Sequence, residues 1–210
     1  MNVTDVCNMA LASLGKGRIA SLDEQSENGR QCKLFYDYTK QRLLREYTWS
    51  FAKRVDKLAR LDSVNPFWQY VYSYPNKCVC VKRIFQCEET TDDEGNVRKV
   101  TLLKRMPEDR EKYEVYMVSD NIRGIGCDIE SAWLEYVYDI DDLNVCTSDF
   151  IEALTHMLAY NLALALTGNM QLKNSEYQQA MAVLNRAKYT NAEEQHKKVE
   201  RPAGYFDARY

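Results

Sequence analysis

The chain has 210 residues and a formal net charge of −3 at pH 7. This length suggests one domain or two small ones, and a content of 45% hydrophobic and 28% charged residues is ordinary for a globular protein. The mild acidity argues against a protein whose main work is tight neutralisation of nucleic-acid phosphates. An odd number of cysteines, 7, and an N-terminus without a basic flank and a long apolar core favour a reducing compartment.

Residues 1–48 are predicted to form two helices. Apolar residues recur at helical spacing from Val3 to Leu14, and Gly15 stands where a C-terminal cap belongs. After a polar connector, a second helix is expected to begin near Ser26 and to carry an apolar stripe as far as Leu44.

Residues 49–146 change to a two-residue period and are predicted to form an inserted β-rich subdomain. In the stretch FWQYVYSYP, four aromatic residues alternate with other side chains, which indicates a strand with one aromatic face: Trp68, Tyr70, Tyr72 and Tyr74. The stretch CVCVKRIF predicts another strand, with Cys78 and Cys80 on one face. A turn at residues 92–96 predicts a hairpin, and two later strands follow.

The stretch EYTWSFAKR joins the first helical zone to this subdomain. A two-residue period here places Trp49 and Phe51 on one face, with Ser50 between them. Each ring buries on the order of 150–250 Å² when it is enclosed. We therefore expect the two rings to be the joint between the helices and the sheet.

Residues 147–196 return to a helical pattern. One helix is expected to run to Thr167 and to end at Gly168, and a second is expected to run from about Met170 to His196. The stretch Ala153–Leu172 has no charged residue, but its polar interruptions favour a buried helix over a span of the about 20 apolar residues that a membrane requires. Residues 197–210 have no periodicity and are predicted to be an extended tail.

This layout predicts an α+β fold. We expect the N-terminal and C-terminal segments to form a four-helix bundle with an inserted antiparallel β subdomain.

Residue patterns for enzyme or metal chemistry are weak. Cys78, Cys80 and Cys87 do not have the usual zinc spacing, and His156 and His196 lie far from them in predicted helices. Nothing marks a cysteine as activated, so no catalytic residue, metal or cofactor is predicted. Carboxylates are plentiful, so a glycosidase pair among Glu130, Glu135, Asp139 and Asp141 stays open.

Read in order, several motifs resemble one family, the tail tubular protein A or head-to-tail adaptor family of short-tailed bacteriophages. The resemblance covers nearly the whole chain and depends on the order and spacing of the motifs. They are CNMALASLG (Cys7–Gly15), IASLDEQS with Cys32 and Tyr36 after it, LLREYTWSFAKR (Leu43–Arg54), WQYVYSYP (Trp68–Pro75) and FIEALTHMLAYNLALALTG (Phe150–Gly168). The chain departs from the family pattern at Asn76-Lys77 and in a lengthened hairpin region between Gln86 and Arg98.

The resemblance implies a structural role in a virion. Such adaptors form a dodecameric ring beneath the portal protein, extend the DNA channel and carry the tail nozzle. The expected partners are thus further copies of this chain, the portal protein, the nozzle protein and double-stranded DNA that passes without specific binding, and no membrane is implied. The expected locations are the virion neck and, during assembly, the host cytoplasm.

Within this resemblance, the tail is expected to dock on the portal. Aromatic and arginine residues dominate binding hot spots, so the expected anchors are Arg201, Tyr205, Phe206, Arg209 and Tyr210. The strand residues that follow the family pattern are Trp68, Tyr70, Tyr72 and Pro75. Two alternatives stay open from the residues alone: a virion-associated cell-wall hydrolase that uses two carboxylates, and a cytosolic domain of another role.

Overall fold

The computed structural model describes residues 1–91, 97–102 and 111–195. The predicted tail, residues 197–210, and its five anchor residues lie outside these ranges. Within them the α-helices are α1 (Val3–Ser13), α2 (Glu27–Glu46), α3 (Ser148–Thr167) and α4 (Met170–Glu194), and short 3-10 turns cover Ser50–Ala52 and Leu143–Val145.

The strands of the described residues form two antiparallel sheets. They are β1 (Lys53–Lys57), β2 (Tyr70–Ser73), β3 (Cys78–Thr91), β4 (Val97–Leu102), β5 (Tyr113–Ser119), β6 (Ile122–Cys127) and β7 (Ala132–Tyr138). The first sheet has the order β1-β7-β3-β4, and the second has the order β2-β6-β5. The predicted α+β class and the hairpin between β3 and β4 agree with this arrangement.

Local sequence signals define the helix ends. At the start of α1, Asn2 and Asp5 form a capping box, in which each side chain accepts a hydrogen bond from the other's backbone N–H at 2.8 Å. Thr147 caps α3 by accepting a hydrogen bond from the N–H of Phe150 at 3.4 Å. At its other end, Gly168 adopts φ 66, a left-handed conformation that favours glycine, and it ends the helix as expected.

The helices are not arranged as the predicted four-helix bundle of the terminal segments. Instead, α3 is a central helix on which α1, α2 and α4 each pack, and α4 makes its extensive helix contact with α3 alone. The cause is the width of the apolar faces. Buried residues surround most of α3, whereas the buried residues of α4 follow one narrow row, Glu176, Ala180, Val183, Leu184, Ala187 and Asn191. A stripe of that width can cover one neighbour, but a closed bundle requires each helix to face two.

By length and composition alone, α3 is the one helix of the described residues that could cross a membrane. Its best 18-residue window has a mean hydropathy of 1.2. In the structure it is the core helix: Phe150, Leu154, Leu158 and Leu162 have no exposed surface.

Strand β7 separates two cores. Leu134 and Tyr136 point into a core between the two sheets, and Val137 points into the helical core that surrounds α3. Lys40 of α2, only 7% exposed, links the helices to the end of β7. Its Nζ donates to the carbonyl of Ile140 at 3.0 Å and lies 2.8 Å from Oδ1 of Asp139, just beyond the end of β7.

Candidate functional site

Four elements meet at the predicted joint. Trp49 is completely buried between the end of α2 and the start of β1, and its indole N–H donates to the carbonyl of Leu43 at 3.0 Å. The ring of Phe51 stacks beside the indole, with 5.7 Å between centroids. The ring of Phe150, at the start of α3, makes an edge contact with both at 5.1 and 5.0 Å. The two predicted joint residues therefore form one aromatic cluster with α3.

The backbone of this joint differs from the prediction. Residues 50–52 form a 3-10 turn, and the strand begins only at Lys53. The two rings are neighbours although the backbone that joins them is a 3-10 turn and not a strand. Both rings pack in the helical core. Their predicted role, joining the helices to the sheet, stays a prediction.

The C-terminal end of α4 is bound to the same joint. Asn191, only 2% exposed, donates from Nδ2 to the Ser50 hydroxyl at 2.7 Å and accepts from the Ser50 N–H at 3.2 Å. One turn later, Gln195 donates to the carbonyl of Thr48 at 2.7 Å. These contacts join residues more than 140 positions apart, and no local pattern in the sequence indicated them. The available signal was the helical position of Asn191 in the row of α4 that also contains Ala180, Ala187 and the polar Glu176.

The aromatic stretch is only partly a strand. The strand β2 covers Tyr70–Ser73, and Tyr72 is buried with its hydroxyl 2.6 Å from the carbonyl oxygens of Ile129 and Glu130. Trp68 precedes the strand and lies against Gly126, where a Cβ atom would collide with the indole. Because Gly126 pairs with Val71, the indole covers the sheet face opposite to that of Tyr72. The predicted single aromatic face is therefore wrong for Trp68.

Pro75 ends the stretch in a tight turn. Its carbonyl accepts a hydrogen bond from the N–H of Cys78 at 3.3 Å, and Lys77 adopts φ 56 within the turn. Asn76 accepts from the N–H of Lys77 at 2.9 Å, and Lys77 in turn contacts the carboxylate of Asp141. The departure from the family pattern at Asn76-Lys77 thus lies in a turn that is anchored to the segment after β7.

A β-bulge places Cys78 and Cys80 on opposite faces of β3. The register with β7 shifts between these two residues, so Cys78 contacts the core between the sheets and Cys80 contacts the helical core. The predicted common face is therefore wrong. Within the described residues, no group of three or more His, Cys, Asp or Glu side chains is placed to hold a metal ion.

Four of the thiols, those of Cys7, Cys78, Cys127 and Cys146, are poorly suited to nucleophilic attack. A hydrogen bond with Cys32 and burial raise the pKa of Cys7 far above its ordinary value, and burial raises the pKa of Cys146 to about 12. Burial also raises the pKa of Cys78 and Cys127. These thiols are protonated at neutral pH, whereas the thiolate is the reactive form.

The histidine and carboxylate candidates have structural partners. His156 of α3 lies 2.7 Å from the carboxylate of Glu176, which is 4% exposed and belongs to α4. Three of the four carboxylates considered for a glycosidase pair have basic partners: Glu135 contacts Arg83, Asp139 contacts Lys40, and Asp141 contacts Lys77. Glu130 is exposed near the opposite end of β7. This arrangement pairs three of the four acids with bases and leaves Glu130 apart from Asp139 and Asp141, so it gives no support to a pair of acids directed at one substrate.

Two exposed apolar features were missed from the sequence. Val64 and Phe67 are 99% and 81% exposed in the segment before β2, and Leu34 and Tyr38 are 66% and 59% exposed on the outer side of α2. The spacing of Leu34 and Tyr38, four residues apart and outside the main apolar stripe of α2, was the signal for the second feature.

Comparison with known proteins adds no assignment. No protein-family model matches the chain, and no curated protein matches it.

Proposed function

We propose that this chain is a structural subunit of the neck of a short-tailed bacteriophage, a head-to-tail adaptor. In this function, copies form a dodecameric ring between the portal protein and the tail nozzle, and the ring extends the channel through which double-stranded DNA passes. The chain acts in the virion, after assembly in the host cytoplasm, and it catalyses no reaction.

The observation that carries the proposal is the ordered set of motifs from CNMALASLG to FIEALTHMLAYNLALALTG. Residues from three of these motifs meet in one place: Cys7 and Leu11 of α1, Trp49 of the joint and Phe150 of α3 belong to the same helical core. The resemblance therefore concerns residues that form the core of the fold, which is where a shared architecture has its physical basis.

Two further features support a structural role. A mildly acidic chain suits a channel through which DNA must slide without being held, because tight DNA binding requires many basic contacts to phosphate. The carboxylates of Glu135 and Asp139, each paired with a base, and the Cys146 thiol, whose pKa is raised by burial, fit side chains that stabilise the fold.

Electron microscopy of the purified chain mixed with the portal protein of the same virus tests the proposal. We expect a twelvefold ring attached to one face of the portal. The portal alone and the chain alone are the controls. A portal that stays bare at saturating concentrations of the chain contradicts the proposal, and clearing of cell-wall material by the purified chain would replace it with the hydrolase alternative.

A further inference from the structure

An exposed apolar tip stands in the segment between β1 and β2. The segment is fixed at one end of the sheets: the N–H of Leu58 donates to the carbonyl of Ala132 at 2.9 Å, and the N–H of Leu61 donates to that of Val71 at 2.8 Å. Between these anchors and β2, Val64 is 99% exposed and Phe67 is 81% exposed. We refer to Val64 and Phe67 as the apolar tip.

The apolar tip is anchored on its C-terminal side. The N–H of Phe67 donates to the side chain of Asn65 at 2.8 Å, and the next residue, Trp68, is fixed by its packing on Gly126 and by a 3.0 Å hydrogen bond from its indole to Glu114. Large apolar side chains that stand exposed beside an anchored residue favour a protein contact, because binding removes their apolar surface from water.

A second exposed feature lies on the outer side of α2. A shallow cavity of about 540 Å³ is lined by Tyr38, Gln41, Arg42, Arg45 and Glu46. Leu34 lies one helical turn before Tyr38 and is 66% exposed, so it extends the apolar part of this surface. We refer to Leu34 together with the five lining residues as the α2 groove.

The two features carry opposite charges. Three exposed carboxylates lie near the apolar tip in sequence or bind the two residues that follow it: Asp62 precedes Val64 by two residues, Glu114 accepts from the indole of Trp68, and Asp128 accepts from the N–H of Gln69 at 3.1 Å. The basic residue nearest the tip in sequence, Arg60, lies over the ring of Tyr70, 4.8 Å from its centroid.

The α2 groove is basic. It contains Arg42 and Arg45, and its one acid, Glu46, lies 3.5 Å from Lys188 of α4. Among the described residues, no carboxylate forms an ion pair with Arg42 or Arg45. Arg45 donates a hydrogen bond to the carbonyl of Val79 at 3.3 Å. An acidic, apolar tip and a basic, apolar groove are complementary in both charge and polarity.

The tip and the groove of one molecule lie toward opposite ends of β7. Leu58 fixes the tip at the Ala132 end of β7, whereas Gln41 of the groove donates to Asp139, beyond the other end of that strand, at 3.0 Å. The seven residues of β7 extend about 20 Å. The loop of residues 62–67 begins and ends at the same end of the sheets, so it extends at most about 10 Å beyond its base.

We propose that the apolar tip of one copy of this chain binds in the α2 groove of a second copy. Such a contact is heterologous, because it joins two different surfaces, and repetition of it builds a ring where the rotation closes and an open chain where it does not. The contact itself follows from the two surfaces described here, and its closure into a ring rests on the proposed function.

Two variants, each lacking one surface, test the contact. Val64→Ser with Phe67→Ser removes the tip, and Leu34→Ser with Tyr38→Ser removes the groove. Sedimentation velocity from about 10 µM to about 1 mM covers the range of dissociation constants expected for a weak, repeated contact. We expect the unmodified chain to associate with rising concentration and each variant alone to stay monomeric over the same range.

The decisive sample is an equimolar mixture of the two variants. The tip variant retains a groove and the groove variant retains a tip, so the mixture must form dimers and stop there. A mixture that stays monomeric while the unmodified chain associates overturns the proposal, because the two surfaces then do not bind each other. Association of either variant alone, or an unmodified chain that stays monomeric up to about 1 mM, also overturns it.

A matched control replaces two other exposed apolar residues. Met117 and Ile122 are 56% and 49% exposed, and Met117→Ser with Ile122→Ser should associate like the unmodified chain. Thermal unfolding of every variant checks that the fold is kept. The portal experiment tests the proposed function separately. Dimers in the mixture together with a bare portal would support this contact and contradict the adaptor function. A ring that the tip variant forms on the portal would support the adaptor function and contradict this contact.

Discussion

At the scale of single residues, Trp49 is the centre of the joint between the helices and β1. Its indole contacts Tyr47, Phe51 and Phe150, with centroid distances of 5.3, 5.7 and 5.1 Å, and its N–H is satisfied by a backbone carbonyl. No surface of this side chain is exposed, so its removal leaves a cavity that neighbouring rings from three elements would have to fill.

Trp49→Ala is therefore expected to lower the free energy of unfolding by roughly 3–5 kcal/mol. Urea denaturation followed by circular dichroism measures the change. Phe67→Ala is the matched control, because this ring is 81% exposed and its truncation should alter the stability by less than about 0.5 kcal/mol. Equal effects of the two substitutions would show that the aromatic cluster does not stabilise the joint.

The environment of Tyr136 in β7 leads us to expect that the free energy of unfolding falls at alkaline pH. Burial, and then its hydrogen bond to Asp56 at 2.7 Å, raise its pKa from the ordinary 10.0 to about 12. The folded state thus keeps the phenol proton to higher pH than the unfolded state. The corresponding stability is fully present below pH 10 and is lost as pH rises from 10 towards 12.

Denaturation curves at several pH values between 9 and 12 test this linkage. The free energy of unfolding should fall over this range, and the fall should be shallower in Tyr136→Phe by at most about 1.4 kcal/mol per pH unit. Tyr189→Phe, at a residue that is 68% exposed, should keep the original slope. An unchanged slope in Tyr136→Phe would mean that this phenol titrates alike in both states.

At the scale of elements, the sequence predicted the identity of most helices and strands but not their mutual arrangement. The 3.6-residue period located α1 to α4, and Gly168 marked the end of α3, because these signals are local. The prediction of a four-helix bundle was wrong because the number of neighbours that a helix contacts depends on the width of its buried face. Periodicity shows that α4 has an apolar face, but the polar residues Glu176 and Asn191 also belong to its buried row.

The strands show the same limit. A two-residue period predicted β2 and β3, but a bulge between Cys78 and Cys80 reverses the faces of β3, and Trp68 leaves the strand to cover Gly126. Both effects depend on the register with a partner strand far along the chain. The candidate site was predictable to the same degree: Trp49 and Phe51 were found from their type and spacing, whereas the apolar tip required knowledge of exposure.

The attachment of α4 to the joint is a testable property of that element. Asn191 is buried, and its side chain makes two hydrogen bonds to Ser50. Asn191→Ala should cost about 1–3 kcal/mol, because the Ser50 N–H loses its partner. Hydrogen exchange should then rise in the last turns of α4 and around residue 50, with little change in α1. Ala192→Ser, at an exposed neighbour, serves as the control, and a uniform rise over the whole chain would instead indicate global destabilisation.

At the scale of the whole molecule, the central position of β7 sets the distance between the possible contact surfaces. The α2 groove lies at one end of this strand and the apolar tip at the other, and the strand itself is buried between the two cores. The C-terminal end of α4 is held at the joint through Gln195. Gln195, the last described residue, therefore lies beside the end of α2 and not at the end that carries the apolar tip.

A truncation separates the predicted docking tail from the rest of the subunit. Deletion of residues 203–210 removes Tyr205, Phe206, Arg209 and Tyr210 and keeps every described residue of both cores. Thermal unfolding should be unchanged, and binding to the portal protein should be lost, because aromatic and arginine anchors contribute most of the energy of such contacts. Self-association through the apolar tip and the α2 groove should persist in the truncated chain. Portal binding at the original affinity would show that the tail is not the docking segment. Another surface of the helical end would then be the candidate docking site.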